Sequence, residues 1–222
     1  MLMKAVAPNI NEQLAALVKH NVLAIFWSRP GVAGALEAVR QVHDWADNLI
    51  SRFEAENVLP RPIACRAACD FCCYNQVETS PLEALAISHF IQELSATEQA
   101  RLTERVNASV RRRSGWSKAE VARSRRQFPC PFLNQGLCEI YPVRPLLCRA
   151  MHSLDAGHCE KSLQAESLLP DDYYLHRYEI VLSINKGLTE GCREAGCRTD
   201  PLDLAEAVVL FLQNASAIKI RG

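Results

Sequence analysis

The sequence predicts a mainly α-helical fold, a single compact helical domain over residues 1–222 with a short β-hairpin and loop-rich cysteine segments. Three observations support this prediction. Ser-x-x-Glu capping boxes mark three helix starts, apolar residues recur at helical spacing on both sides of the cysteines, and alternating strand patterns are scarce. The 222 residues, 49% of them apolar, can bury a core without help from crosslinks.

The helices before residue 130 are marked by periodicity and by their caps. From Leu36 to Phe53 apolar side chains recur at intervals of three and four, which predicts an amphipathic helix that ends before Pro60. Each capping box places Ser at the N-cap and Glu three residues later, and each predicts the start of a further helix. The three N-cap residues are Ser80, Ser95 and Ser117.

The second half of the sequence predicts one hairpin and two more helices. The turn residues Asn134-Gln135-Gly136 lie between apolar residues and predict a β-hairpin. A helix is predicted from Asp171 to Lys186, with Gly187 as its C-terminal cap. Asp200 as N-cap, followed by Pro201 at the first helical position, predicts a C-terminal helix.

Charge and hydropathy argue against several classes of partner. The 25 basic and 25 acidic residues balance, so no overall field favours nucleic acid or an anionic membrane. No apolar run approaches the ~20 residues of a membrane helix, so no membrane span is predicted. Residues 101–126 carry nine basic and two acidic side chains. Because Trp116 is the only aromatic residue among them, we interpret this segment as a solvated helix face, and nucleic acid is not an expected partner.

Ten cysteines are the unusual feature of the composition. The first 13 residues include Lys4 and Glu12 where a secretory signal needs an unbroken apolar stretch, which predicts a cytoplasmic protein. In a reducing cytosol, cysteines at short spacings are more often metal ligands or catalytic groups than disulfides. Structural disulfides after export are the alternative. They are disfavoured because the adjacent Cys72 and Cys73 would need a cramped backbone to reach separate partners.

The cysteines that carry chemistry form two sets. The first set lies within nine residues, where the thiols share one face if the segment is helical and converge if it is a loop: Cys65, Cys69, Cys72 and Cys73. One short segment rarely surrounds a tetrahedral metal alone, so further ligands are expected from elsewhere in the chain. The second set has loop spacings, and the hairpin folds its first two members toward each other: Cys130, Cys138, Cys148 and Cys159. Thiolates held this way suit zinc or iron.

The pattern CxxxCxxCC, followed by CPFL, CEIY and RPLLCR, resembles that of the YkgJ-like cysteine-cluster family, described as a zinc- or iron-chelating domain with a CxxCxxCC motif. The resemblance runs from Cys65 to Cys159, and the cysteine-cluster core is predicted over residues 60–165, approximately. This chain departs from the family in having three residues rather than two between its first two cysteines. The resemblance implies that a metal ion is bound by Cys65, Cys69, Cys72, Cys73, Cys130, Cys138, Cys148 and Cys159.

The resemblance leaves the kind of metal open. Eight thiolates suit zinc ions, iron ions or one 4Fe–4S cluster with cysteines to spare. Two histidines, His152 and His158, either replace a thiolate in a mixed site or are exposed loop residues. Three arginines beside the ligands either offset thiolate charge or have ordinary surface and capping roles: Arg66, Arg144 and Arg149.

Two classes of function are consistent with these residues. The first is a binding protein that chelates a metal or transfers electrons. The second is an iron–sulfur enzyme, because Cys65, Cys69 and Cys72 also match the CxxxCxφC triad of radical S-adenosylmethionine enzymes. That resemblance implies a partial β/α barrel, whereas helical patterns dominate here. The flagellin lysine methylase branch, with a similar cysteine motif, suggests a protein-modifying reaction as a further enzyme alternative.

Overall fold

The computed structural model describes residues 8–165 and 175–214. Over these residues the fold is mainly α-helical, as predicted, and its regular helices are α1 (Glu12–Ser28), α2 (Val32–Glu56), α3 (Pro81–Gln92), α4 (Ala96–Arg113), α5 (Lys118–Arg123), α6 (Leu146–Ala150), α7 (Ala156–Gln164), α8 (Leu175–Glu194) and α9 (Leu204–Gln213). Short 3₁₀ helices cover Phe71–Tyr74, Arg125–Gln127 and Tyr141–Val143. The strands pair two by two and are β1 (Glu78–Thr79), β2 (Leu133–Asn134), β3 (Leu137–Cys138) and β4 (Leu202–Asp203).

All three capping boxes form as the sequence predicts. The side chains of Ser80, Ser95 and Ser117 each accept a hydrogen bond from the backbone N–H of the Glu three residues later. Each Glu in turn accepts from the backbone N–H of its N-cap residue, which satisfies two amide groups at the start of α3, α4 and α5. The predicted amphipathic helix is α2, which ends at Glu56, before Pro60.

Gly187 is not a helix cap, and that prediction was wrong. Helix α8 continues through it to Glu194, and its predicted first residues, Asp171–Tyr174, lie outside the described residues. A Cβ atom at Gly187 would lie 2.4 Å from the carbonyl oxygen of Ala15 on α1, and one at Gly191 would lie 2.8 Å from Cγ1 of Val22. The two glycines therefore allow α1 and α8 to pack with their backbones in close approach, which explains their position inside a helix.

The N-cap of α9 is Asp203 rather than the predicted Asp200. Residues Leu202–Asp203 pair with Glu78–Thr79 as an antiparallel ladder, so the chain is still extended where the Asp200-Pro201 signal would begin a helix. One carboxylate oxygen of Asp203 accepts from the N–H groups of Ala205 and Glu206, at 3.0 and 3.2 Å. The predicted helix exists, but strand pairing delays its start by three residues.

The hairpin has the predicted position and turn. Leu133 pairs with Cys138 and Asn134 with Leu137, and the two turn residues have positive φ, 49° at Gln135 and 79° at Gly136. Positive φ at both central residues is the type I′ geometry that matches the twist of paired strands. The hairpin tip contacts the first cysteine segment, because a Cβ at Gly136 would lie 3.3 Å from Cβ of Ala68.

Two hydrophobic clusters form the core. The first is built mainly by α1, α2, α8 and the start of α3, with fully buried members such as Val22, Val39 and Ile184. The second lies between α3, α4, α9 and the hairpin segment, where Phe132 and Ile140 are 0% and 1% exposed. Cys130, Cys138 and Cys148 pack against this second cluster. That both clusters belong to one domain stays a prediction.

The basic segment 101–126 is partly neutralised by acidic side chains that are distant in sequence. Arg101 and Arg105 both bind the carboxylate of Glu139, and Arg113 makes a bidentate pair with Asp203 at 2.7 and 2.8 Å. These ion pairs leave fewer free charges on the face than the sequence count indicates. Across residues 8–165 and 175–214, no helix has both the length and the apolar character needed to cross a bilayer.

Candidate metal centre

The first cysteine segment is a loop that ends in a 3₁₀ turn, which resolves the choice between helix and loop. Ala68 has a φ of 63°, and the N–H of Cys69 donates to the carbonyl of Arg66 at 3.0 Å, so the chain reverses direction here. Cys72 and Cys73 lie on the 3₁₀ helix Phe71–Tyr74. A 3₁₀ helix has about three residues per turn, so neighbouring side chains project about 120° apart.

The second cysteine segment is joined to the first by the backbone. The N–H of Cys130 donates to the carbonyl of Cys73 at 2.7 Å, and the hairpin tip packs on Ala68. These two contacts therefore hold the segments together, and no side-chain pattern in the sequence predicts them.

Backbone N–H groups donate to two thiols of the second segment. The N–H of Phe132 donates to Cys130, and the N–H of Ile140 donates to Cys138, in each case from two residues further along the chain. Because the side chains of Phe132 and Ile140 are fully buried in the second hydrophobic cluster, the direction of these N–H groups is fixed by packing. Hydrogen bonds of this kind stabilise a thiolate, the form that binds metal.

Burial dominates the electrostatics of this inner group of thiols. It raises the pKa of Cys130 to about 12, against the opposing effect of the Phe132 N–H and of the Arg105 charge. It also raises the pKa of Cys138, where the charge of Arg144 acts in the opposite direction. Burial and the neighbouring Cys130 raise the pKa of Cys148 well above its usual value. A thiolate here therefore needs a compensating positive charge, such as a metal ion.

Four other thiols line a cavity of about 50 Å³ on the other side of the 3₁₀ turn. They are Cys65, Cys69, Cys72 and Cys159, the last of them supplied by α7. Phe71 and Met151 give the cavity an apolar wall, and His152 and His158 also line it. The cavity has room for an ion and a small ligand.

Ser153 orients two thiols of this outer group. Its N–H donates to Sγ of Cys65 at 3.4 Å, and its side chain forms a hydrogen bond with Cys159 that favours the thiolate. Burial nevertheless raises the pKa of both thiols. The N–H of Ala64 donates to the carbonyl of Ser153 at 3.0 Å, which joins the start of the first cysteine segment to the loop before α7. Sequence reasoning missed Ser153, because a lone serine carries no spacing signal.

Cys72 lies between the two groups of thiols. A hydrogen bond with the side chain of Cys73, together with burial, raises its pKa. Its charge also acts on thiols of both groups, among them Cys65 and Cys159 on one side and Cys148 on the other. The eight predicted ligands are therefore neighbours around one short turn, although their metal ligation stays a prediction.

The two histidines predicted as alternative ligands both line the cavity. Nδ1 of His152 is buried without a hydrogen-bond partner in the described part of the chain. Burial lowers the pKa of His152 to about 3, so its imidazole is neutral and has a lone pair to offer. The backbone N–H of His158 donates to the side chain of Asp155, which caps α7.

Buried arginines support the cysteine segments. Arg149 is 2% exposed; it donates to the carbonyls of Arg144 and Pro142 at 3.1 and 2.7 Å and forms an ion pair with Asp47 on α2. It therefore fixes the helix that carries Cys148. Arg144 lies over the ring of Tyr141, 3.7 Å from its centroid.

Arg125 is a second residue that sequence reasoning missed. It is 8% exposed, donates to Oδ1 of Asn75 at 2.5 Å and to Oγ of Ser162 at 2.8 Å, and lines the cavity. It thereby joins α7 to the end of the first cysteine segment. In the sequence it belongs to the basic segment 101–126, which we interpreted as a solvated helix face.

The remaining cysteines, Cys192 and Cys197, lie apart from these eight. Both are buried members of the first hydrophobic cluster, and neither lines the cavity. All ten cysteines are free thiols.

The donor set fits a soft or borderline metal ion. Eight thiols, several of them held by N–H donors, match the ligands that zinc and iron–sulfur centres use. In residues 8–165 and 175–214, no three His, Cys, Asp or Glu side chains already stand in a coordination geometry. A bound ion would therefore have to draw these thiols into closer contact.

Comparison with known proteins supports the same chemistry. Residues 64–167 match the model of the CxxCxxCC family, described as a "putative zinc- or iron-chelating domain". The matched region coincides with the predicted resemblance from Cys65 to Cys159, which is thereby confirmed. Comparison with curated proteins and with solved structures gives no match.

Proposed function

Because residues 64–167 match the model of the CxxCxxCC family, we propose that this protein binds zinc or iron through eight cysteines and acts in the cytoplasm as a metal chelator or electron-transfer protein. The proposed ligands are Cys65, Cys69, Cys72, Cys73, Cys130, Cys138, Cys148 and Cys159. The observation that carries the proposal is the convergence of thiols from distant parts of the sequence on the turn Phe71–Tyr74.

The electrostatics support this function. Burial disfavours a thiolate at Cys130, Cys148 and Cys65, while N–H donors at two of these positions favour it. Such opposing effects are expected of metal ligands, because the ion supplies the charge that compensates for burial. A cluster of ordinary core cysteines would need no N–H donors directed at sulfur.

The enzyme alternative has one supporting observation: Cys65, Cys69 and Cys72 all line one cavity. A radical S-adenosylmethionine enzyme must hold that cofactor beside its cluster. Such enzymes have a partial β/α barrel, whereas the described residues form helices and two-residue strands. We therefore favour the binding protein over the enzyme.

Anaerobic purification with metal analysis and a visible spectrum tests the proposal. We expect stoichiometric zinc, or iron with thiolate-to-iron absorption, in the wild-type protein. A variant with Cys72→Ser and Cys138→Ser should lose metal, while a variant with Cys192→Ser should keep it. Protein that is folded and remains free of both metals after anaerobic reconstitution would contradict the proposal.

S-adenosylmethionine separates the two candidate functions. For a binding protein, adding it to the iron-loaded form should leave the electron paramagnetic resonance spectrum unchanged. A shifted signal, or deoxyadenosine after reduction, would overturn our choice in favour of the radical enzyme.

A further inference from the structure

We propose that the eight thiols form two separate metal centres, an inner one that retains its ion and an outer one that exchanges its ion through the cavity. This division rests on the proposed metal-binding function. The inner centre comprises Cys73, Cys130, Cys138 and Cys148, and the outer centre comprises Cys65, Cys69, Cys72 and Cys159.

The division follows from what surrounds each thiol. Four of the eight line the cavity, and these four form the outer centre. Of the other four, Cys130, Cys138 and Cys148 pack against the second hydrophobic cluster. Cys73 does not line the cavity; its carbonyl accepts a hydrogen bond from the N–H of Cys130. Its thiol is hydrogen-bonded to that of Cys72, whose charge acts on all three of these cysteines. Each group contains four thiols from at least two distant segments, and four thiolates complete a tetrahedral site for zinc.

The adjacent Cys72 and Cys73 can serve different centres because of the 3₁₀ turn. Side chains that are neighbours on such a helix project about 120° apart, and of these two only Cys72 lines the cavity. The two centres then lie next to each other on either side of the turn. A single centre that used all eight thiols would instead require the cavity thiols and those of the second hydrophobic cluster to meet at one place.

The two centres should differ in how readily they release an ion. To free the inner ion, the hairpin and α6 must separate from Phe132, Ile140 and the other buried side chains of the second cluster. The outer ion faces a cavity that already has room for a small incoming ligand. His152 adds a neutral imidazole whose Nδ1 has no partner in the described residues, so it can hold the ion while a thiolate leaves.

Zinc release from the wild-type protein tests this division. The full chain is reconstituted with Zn²⁺ under reducing, anaerobic conditions, its zinc content is measured, and an excess of a colorimetric chelator is added. We expect two ions per chain, released in two phases of equal amplitude whose rates differ at least tenfold. One bound ion, or two ions released in a single phase, would overturn the division while leaving the proposed function intact. A folded chain that binds no metal would overturn both.

Matched variants assign the phases. Cys159→Ser should remove the fast phase and one ion, and Cys65→Ser should do the same. Cys148→Ser should remove the slow phase, while Cys192→Ser, outside both centres, should leave both phases in place. Should Cys148→Ser fail to fold, the two outer variants still decide the matter, because loss of the slow phase in either of them contradicts the assignment.

Discussion

The backbone N–H of Cys130 donates a hydrogen bond to the carbonyl oxygen of Cys73, with nitrogen and oxygen 2.7 Å apart. This bond joins the two cysteine segments through main-chain atoms, so their proximity does not depend on a metal ion alone. The packing of Gly136 on Ala68 gives a second contact between the same segments. A metal ion would therefore add its binding free energy to an arrangement that the protein backbone already favours.

Metal removal should destabilise the protein without unfolding all of it. The ligands from Cys65 to Cys159 come together only in the folded chain, so the free energy of metal binding is also free energy of folding. We expect chelation to lower the melting temperature by about 10 °C, which corresponds to roughly 3–5 kcal/mol for a chain of this size. Scanning calorimetry of loaded and chelated protein measures the shift. An equal melting temperature in a sample shown to be free of metal would contradict a structural role.

A double variant in which Ser replaces both Cys192 and Cys197 should distinguish cysteines of the core from metal ligands. Both thiols are buried in the first hydrophobic cluster, so a hydroxyl at either position is buried without a prepared partner and should cost about 1–3 kcal/mol. The metal content should stay at the wild-type value. As a matched pair, Cys72→Ser or Cys138→Ser should lower the metal content. Equal losses in both kinds of variant would show that the C-terminal pair belongs to the metal site.

Glu83 should make the stability of the protein sensitive to acid. Its buried carboxylate accepts from the N–H of Leu146 at 2.7 Å and from the N–H and hydroxyl of Ser80, and lies 3.5 Å from Nε2 of His43. Burial alone would raise the pKa of Glu83, but His43 and these donors outweigh it and lower the pKa. Its contribution is therefore fully present above the unfolded-state pKa, near 4.3, and is lost as the pH falls through the lower folded-state pKa.

The variant Glu83→Gln tests this prediction. It should be less stable than wild type by about 3 kcal/mol at pH 7, because the buried network loses its negative charge and one of its two acceptor oxygens. The difference should shrink below about pH 4, because the carboxyl of the unfolded chain takes up a proton there before that of the folded protein does. Urea unfolding of metal-free protein at pH 7 and pH 3.5 measures both values and avoids the loss of metal that acid would cause. A stability difference between wild type and variant that is the same at both pH values would show that the contribution of Glu83 does not depend on its charge.

Gly187→Ala should loosen the helical part of the protein while sparing the metal centres. The added Cβ would lie 2.4 Å from a backbone oxygen of α1, which cannot move without shifting the helix. We expect a loss of about 3 kcal/mol, at the upper end of overpacking costs. Gly115→Ala is the control, because nothing lies within 4 Å of its Cβ and only the positive φ, 84°, opposes it. Metal content, measured in both variants, should not change.

Local signals in the sequence predicted the helices well. The errors occur at helix ends whose positions depend on tertiary contacts. The capping boxes at Ser80, Ser95 and Ser117 depend on four consecutive residues, and all three form. Gly187 has the same local signature as a C-cap, but it lies inside α8, where the absence of a side chain allows α1 to pack closely. The helix begins after Asp203 rather than after Asp200, because residues 202–203 pair as a strand with residues 78–79, far away in the sequence.

The cysteine spacings predicted the candidate ligands but not the way they divide. Spacing alone cannot show that Cys72 lines a cavity while Cys148 packs on a hydrophobic cluster. The supporting residues were equally hidden, since Ser153 and Arg125 act through hydrogen bonds across long sequence separations. Such contacts become apparent only once the chain is folded.

His152→Ala should slow metal exchange without changing the metal content. The neutral imidazole lines the cavity with Nδ1 unpartnered in the described residues, so it is positioned to take the outer ion from a departing thiolate. We expect two zinc ions per chain and a fast release phase that is about tenfold slower, equivalent to about 1.4 kcal/mol in the barrier. The exposed His20 on α1 provides the control, and His20→Ala should release zinc like wild type. Because four thiolates already complete the outer site, the visible spectrum of the Co²⁺-loaded protein should be the same in His152→Ala as in wild type. A shifted Co²⁺ spectrum would show instead that His152 is a permanent ligand, and that one of the four cavity thiols is not.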